Sequence, residues 1–127
     1  MIDINLILQI TEKLGDRVKW FKYSSRETYH TTLEVNGDYC YFLQIEFKDT
    51  EITKDVGTYI RRLETKQAKK GTLLLIDSEA QWGNNEGRIG SSIPINRELA
   101  TKLHKAIEKN ILAQQEQFNN NLKELLI

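Results

Sequence analysis

The chain reads as an α/β protein with element order α-β-β-β-α-β, a mixed sheet flanked by helices and a long C-terminal helix. Three observations predict this. Asn36-Gly37 sits between two strand-like runs, the strongest short-range hairpin signal, because both central residues of a type I′ turn need positive φ. The run Thr72-Leu-Leu-Leu-Ile-Asp77 is short, continuously apolar and bounded by Gly71, as in a strand covered on both faces and paired in parallel. Leu99, Leu103, Ala106 and Ile107 recur at helical spacing after Asn96, a good N-cap.

Taken in order, residues 3–14 are predicted helical. Asp3 is the cap, Ile7, Ile10 and Leu14 form the apolar stripe, and Gly15 stands where a left-handed C-terminal cap belongs. Val18, Trp20, Phe21 and Tyr23 mark a strand within Arg17–Ser24, and the hairpin strands follow at about 26–35 and 38–48. Tyr39, Tyr41, Leu43, Ile45 and Phe47 alternate with polar residues and read as core. A second helix is expected from Thr53 or Asp55 to Lys70. Its stripe is Val56, Ile60 and Leu63, and Lys66, Lys69 and Lys70 in the last turn complement the helix dipole. Residues 78–95 read as a loop, with a short strand near Arg88–Ile95 as an option that Pro94 would end. The C-terminal helical segment is 96–126. About 30 residues at 1.5 Å each span roughly 45 Å, more than a compact domain of this size, so the helix breaks or its end projects. A projecting Phe118, Leu122, Leu125 and Leu126 would need a partner, and we expect a homodimer there; the alternative is a last segment that folds back on its own core.

The 127 residues suit one domain (1–127, with its core in 3–77) that buries a core without disulfides. With 18 basic and 18 acidic residues, bulk charge selects no class of partner, so a phosphate-binding surface must be a local patch. Cys40 is the single cysteine, which excludes an internal disulfide and fits a reducing interior. The first residues lack the basic region of a secretory signal, and no apolar run approaches the roughly 20 residues needed to span a bilayer. The expected location is cytoplasmic.

If Val35 and Asp38 close the hairpin, Glu27 lies opposite Glu46, with Lys48 two residues on along the same face. Two carboxylates and an ammonium then converge, an arrangement suited to a divalent metal and an activated water beside a phosphate. Gln44-Ile-Glu-Phe-Lys48, then Asp55-Val-Gly-Thr-Tyr-Ile-Arg-Arg-Leu, then Leu73-Leu-Leu-Ile-Asp77 resembles the PD-(D/E)XK nuclease superfamily of restriction endonuclease-like and Holliday junction resolvase-like domains. The resemblance covers roughly residues 3–77. It implies a Mg²⁺-dependent nuclease with Glu27 and Glu46 as metal ligands, the Phe47 carbonyl as a third, Lys48 as the catalytic lysine and Glu12 as an extra acid. The same carboxylates, splayed into solvent and paired with Arg26 or Lys48, would be ordinary surface groups.

Nucleic acid is the expected partner. Arg61, Arg62 and Lys66 offer a phosphate track, and Trp82 with Arg88 offers a stacking platform. A solvated helix face and a tryptophan lid are the structural alternatives for the same residues. His30 is expected on the face away from Glu46. His104, after Leu103, is expected to be exposed, and neither histidine has ligand spacing. The competing functional class is non-enzymatic: a small dimeric secretion-chaperone-like protein, or a phage or mobile-element protein that binds another protein.

Overall fold

The computed structural model describes residues 2–23, 27–35, 37–50, 57–71 and 97–127. Its order is α1 (Ile4–Lys13), a single 3-10 turn (Gly15–Arg17), β1 (Trp20–Lys22), β2 (Thr28–Glu34), β3 (Tyr39–Thr50), β4 (Gly57–Lys69) and α2 (Arg97–Glu124). The α/β class holds, with a sheet whose strands follow an N-terminal helix and precede a long C-terminal helix in the chain. The four strands follow chain order, β1-β2-β3-β4, and every described pairing is antiparallel. The strand expected at 72–77, the partner that would make the sheet mixed, lies outside the described residues.

Helix α1 begins and ends where its caps dictate. Asp3 accepts from the Leu6 N–H at 3.1 Å, the Leu14 N–H closes on the Ile10 carbonyl, and Gly15 takes a left-handed φ of +51°. Ile4, Ile7 and Leu8 form its buried face. Across from them, Leu103 and Ile107 of α2 are fully buried. Both helices enclose the main core with Trp20, Tyr29, Leu43, Ile45, Phe47 and Leu63 from one face of the sheet. The other face is buried in part as well, through Cys40, Phe42 and Gln44. Tyr39 is not core, being 44% exposed near the hairpin turn.

The hairpin forms, but its register differs by one residue from that of a two-residue Asn-Gly turn. Thr28, not Glu27, is opposite Glu46, and the last pair is Glu34 with Cys40. The core decides this. The observed register sets Tyr29 against Ile45 and Thr31 against Leu43, so all four lie on the helix-covered face; a slip of one residue would send each β2 side chain to the other side. Gly37 still supplies a positive φ, +110°, in the longer turn.

The helix expected over 53–70 is instead β4, paired with β3 along almost its whole length. The apparent helical stripe has a physical explanation. Ile60 and Leu63 are three apart and would face opposite ways in a regular strand. A β-bulge lies between the pairs Glu46–Arg62 and Phe47–Ile60, leaving Arg61 as the extra residue, so both apolar side chains turn to the core. Residues 53–56, where that helix was to start, lie outside the described residues.

Helix α2 is unbroken over 28 residues. Its first half packs on the sheet through Ala100, Leu103 and Ile107; its second half leaves Leu112, Phe118 and Leu122 exposed, so the end projects rather than folding back. No helix among the described residues is long and apolar enough to cross a membrane.

Candidate functional site

Strand β2 and helix α2 meet at a compact polar cluster on the helix-covered face. Tyr29 is buried in the core, and its hydroxyl emerges at the rim. There it donates to Glu27 Oε2 at 2.8 Å and lies 3.1 Å from His104 Nε2 and 3.4 Å from Glu108 Oε1. His104 Nε2 is itself 3.0 Å from Glu27 Oε2 and 2.9 Å from Glu108 Oε1. Lys22 on β1 completes the cluster with an ion pair to Glu27 Oε1 at 3.1 Å. Local structure positions each member. His104 and Glu108 are four apart on α2 and so lie on one helical face. Lys22 is opposite Tyr29 in the β1–β2 register. The Phe47 N–H donates to the Glu27 carbonyl at 2.8 Å, extending the β2–β3 pairing to Glu27. The His104 ring stacks on Phe47, with centroids 4.5 Å apart and planes 14° apart, which fixes its orientation.

The electrostatics follow from these contacts. Burial alone would raise the Glu27 carboxyl. Hydrogen bonds from Tyr29 and Lys22, the Lys22 charge and the His104 contact outweigh burial and hold it below the usual carboxylate value. Tyr29 moves well above the ordinary phenol range, because burial and the adjacent Glu27 and Glu108 carboxylates all disfavour a phenolate. Tyr29 is therefore a donor at neutral pH. With an N–H on His104 Nε2, two donors meet two carboxylates, and the network is satisfied.

The same atoms are placed so that they could hold a cation. One donor atom each from Glu27, His104 and Glu108 lies within 4.8 Å of the other two. A tetrahedral ion with bonds of about 2.1 Å needs ligand atoms roughly 3.4 Å apart, so small rotations suffice once the Nε2 proton leaves. One imidazole with two carboxylates matches Zn²⁺ or Mn²⁺ better than Mg²⁺, which prefers oxygen ligands.

This is not the trio the sequence suggested. Glu27 belongs to the cluster, but Glu46 pairs with Thr28 and Arg62, one residue out of step with Glu27 and on the opposite face. For Lys48 the structure describes only the backbone, opposite Tyr59. Glu12 lines a groove between α1 and α2 instead. Arg62 and Lys66 lie on strand β4 rather than on a helix, in register with Glu46 and Phe42, and Arg62 Nε is 3.8 Å from Glu64 Oε1. Arg61 is described only as the backbone of the bulge, and Trp82 and Arg88 lie outside the described residues. His30 is buried and pairs with Gln44, which puts it on the same face as Glu46 rather than away from it. It stacks on Phe21, with centroids 5.6 Å apart.

His104 and Glu108 were the residues that sequence reasoning missed. Their signal was a histidine and a glutamate at i and i+4, beside the buried stripe of a helix. Comparison with protein-family models, curated proteins and solved structures finds no match to this chain.

Proposed function

We propose that the protein is a metal-dependent domain acting on nucleic-acid phosphodiesters, with Glu27, His104 and Glu108 as ligands of a divalent cation. The observation that carries this reading is the mutual reach of three ligand atoms from two elements far apart in sequence, held by the Tyr29 hydroxyl. Three protein ligands of a tetrahedral ion would leave the fourth position for a water, and expansion to five-coordination would admit a phosphate oxygen. The bound cation would lower the pKa of that water and offset charge on the phosphate. Tyr29 and Lys22 stand close enough to orient the water and to hold a second phosphate oxygen. Of the residues expected to be catalytic, Glu27 belongs to this cluster, Glu46 faces away from it, and the Lys48 side chain lies outside what is described. A buried, reduced Cys40 fits action in the cytoplasm.

The test has two stages. Calorimetric titration with Zn²⁺, Mn²⁺ and Mg²⁺ should give one site for Zn²⁺ or Mn²⁺, lost in His104→Ala and in Glu108→Gln. Plasmid and single-stranded DNA and RNA are then incubated with each metal or with EDTA. Metal-dependent cutting that disappears in both variants supports the reading; saturable metal binding with no cutting would leave a cation-binding domain and remove the nuclease. A failure of all three metals to bind would remove both.

The second reading is a non-enzymatic protein that binds another chain. Its support is the projecting end of α2, where Phe118 is 62% exposed, and the turn after it, where Leu125 is 80% exposed. The same stripe is the surface through which we propose a homodimer. Sedimentation of the wild type and of Phe118→Ser/Leu122→Ser tests it: a dimer that becomes a monomer in the variant supports it, and a wild type that is monomeric at 100 μM excludes it.

A further inference from the structure

Among the described strands β1 lies at one edge of the sheet, and side-chain amides occupy its outer edge. The Trp20 N–H donates to Asn110 Oδ1 at 2.9 Å, Asn110 Nδ2 donates to the Val18 carbonyl at 2.8 Å, and Gln114 Nε2 donates to the Trp20 carbonyl at 2.8 Å. Gln114 Nε2 also braces Asn110 Oδ1 at 3.1 Å. An amide pair four residues apart on α2 thus reads an extended backbone as a neighbouring strand would.

A second braced amide pair, in the reverse order along the helix, follows further on. Gln117 and Asn121 stand on the same side of α2, at i+7 and i+11 from Asn110, and are likewise braced, Gln117 Nε2 donating to Asn121 Oδ1 at 2.9 Å. Their other atoms, Gln117 Oε1 and Asn121 Nδ2, offer an acceptor and a donor with no partner among the described residues. All four amides line one groove of about 970 Å³ between α2 and the end of α1. The groove also carries Lys19, Lys102, Lys105 and Lys109 against a single acid among the described side chains, Glu12. Lys102 is paired with Glu98 at 3.3 Å, while no carboxylate pairs with Lys19, Lys105 or Lys109 among the described residues. From Lys102 to Asn121 the wall runs about 28 Å at 1.5 Å per residue, the length of roughly eight extended residues.

We propose that this groove binds an extended, acidic segment of another polypeptide. Gln117 and Asn121 hold its backbone as Asn110 and Gln114 hold β1, and the lysines pair with its carboxylates. The charge excess selects an anionic occupant, and the amide pairs select a peptide backbone over a sugar-phosphate one. The site stands apart from the Glu27–His104–Glu108 cluster and does not depend on the function proposed for it.

The probe is a fluorescein-labelled octapeptide of alternating glutamate and valine, read by anisotropy against the full-length protein. A lysine-valine octapeptide and an oligothymidylate of equal length serve as comparators. The expected result is saturable binding of the acidic peptide alone, weakened several-fold between 50 and 300 mM salt. Gln117→Ala/Asn121→Ala should weaken it tenfold or more, as should Lys105→Glu. These side chains are exposed, so both variants should keep the wild-type melting temperature. The proposal is overturned if the acidic peptide does not bind, if the double variant binds as tightly as wild type, or if oligothymidylate binds at least as well, which would assign the groove to nucleic acid.

Discussion

Replacing Asn110 with alanine should cost far more than its position on a partly exposed helix face suggests. The side chain accepts from the Trp20 N–H and donates to the Val18 carbonyl, and Trp20 and Val18 are only 1% and 2% exposed. Truncation strands one buried donor and one buried acceptor, and each unsatisfied group costs about 1–3 kcal/mol. Some water entry at the strand edge brings the total to roughly 3 kcal/mol. With an unfolding entropy near 2.1 cal/mol/K per residue, that lowers the melting temperature by about 11 °C. Urea unfolding should show a lower midpoint at unchanged slope, because the surface exposed on unfolding is the same. Amide hydrogen exchange should show loss of protection at Trp20 ahead of its neighbours. Asn110→Asp should fall between, since it keeps the acceptor for Trp20 but sets a carboxylate against the Val18 carbonyl. A stability for Asn110→Ala within 0.5 kcal/mol of wild type, with Trp20 still protected, would refute the view that amides substitute for a missing strand.

Other outcomes follow from the same geometry. The Glu27 carboxyl is held below its ordinary value, so its stabilising effect is complete above about pH 4.5 and is lost as pH falls through the lower folded-state value. Acid unfolding of Glu27→Gln should therefore lack that part of the slope. Tyr29 is shifted upward, so the folded state resists its ionisation; absorbance titration should leave one of the five tyrosines neutral until alkaline unfolding, and Tyr29→Phe should abolish that lag. Deletion of Arg61 removes the bulge residue while leaving Ile60 and Leu63 on the core face, so it should change stability by no more than about 1 kcal/mol. Deletion of Glu64 instead flips one flank of β4 and should prevent folding, as judged by circular dichroism.

Much of the architecture was legible because local chemistry and tertiary structure agree. Asp3 and Gly15 delimit α1, and Leu103 and Ile107 mark the buried face of α2. Legibility failed where long-range packing overrode local preference. Asn36-Gly37 argued for a tight turn, but burying Tyr29 beside Ile45 required a register one residue away. Ile60 and Leu63 imitated a helix because a bulge lets a strand show two core residues three apart. The first error alone produced the expected Glu27–Glu46 pairing; the second placed a helix where β4 runs. The cluster that does form joins Glu27 to residues 77 and more positions later, and no local pattern encodes that distance.

The clasp on β1 also bears on how the chain is made. Trp20 and Asn110 are 90 residues apart, so the first strand emerges during synthesis long before the amides that will seal it. Until then its outer row of peptide groups stands open, and a neighbouring nascent chain can take the place that α2 later fills. Slower translation should lengthen this window, making crowded polysomes a sterner trial for the protein than dilute refolding.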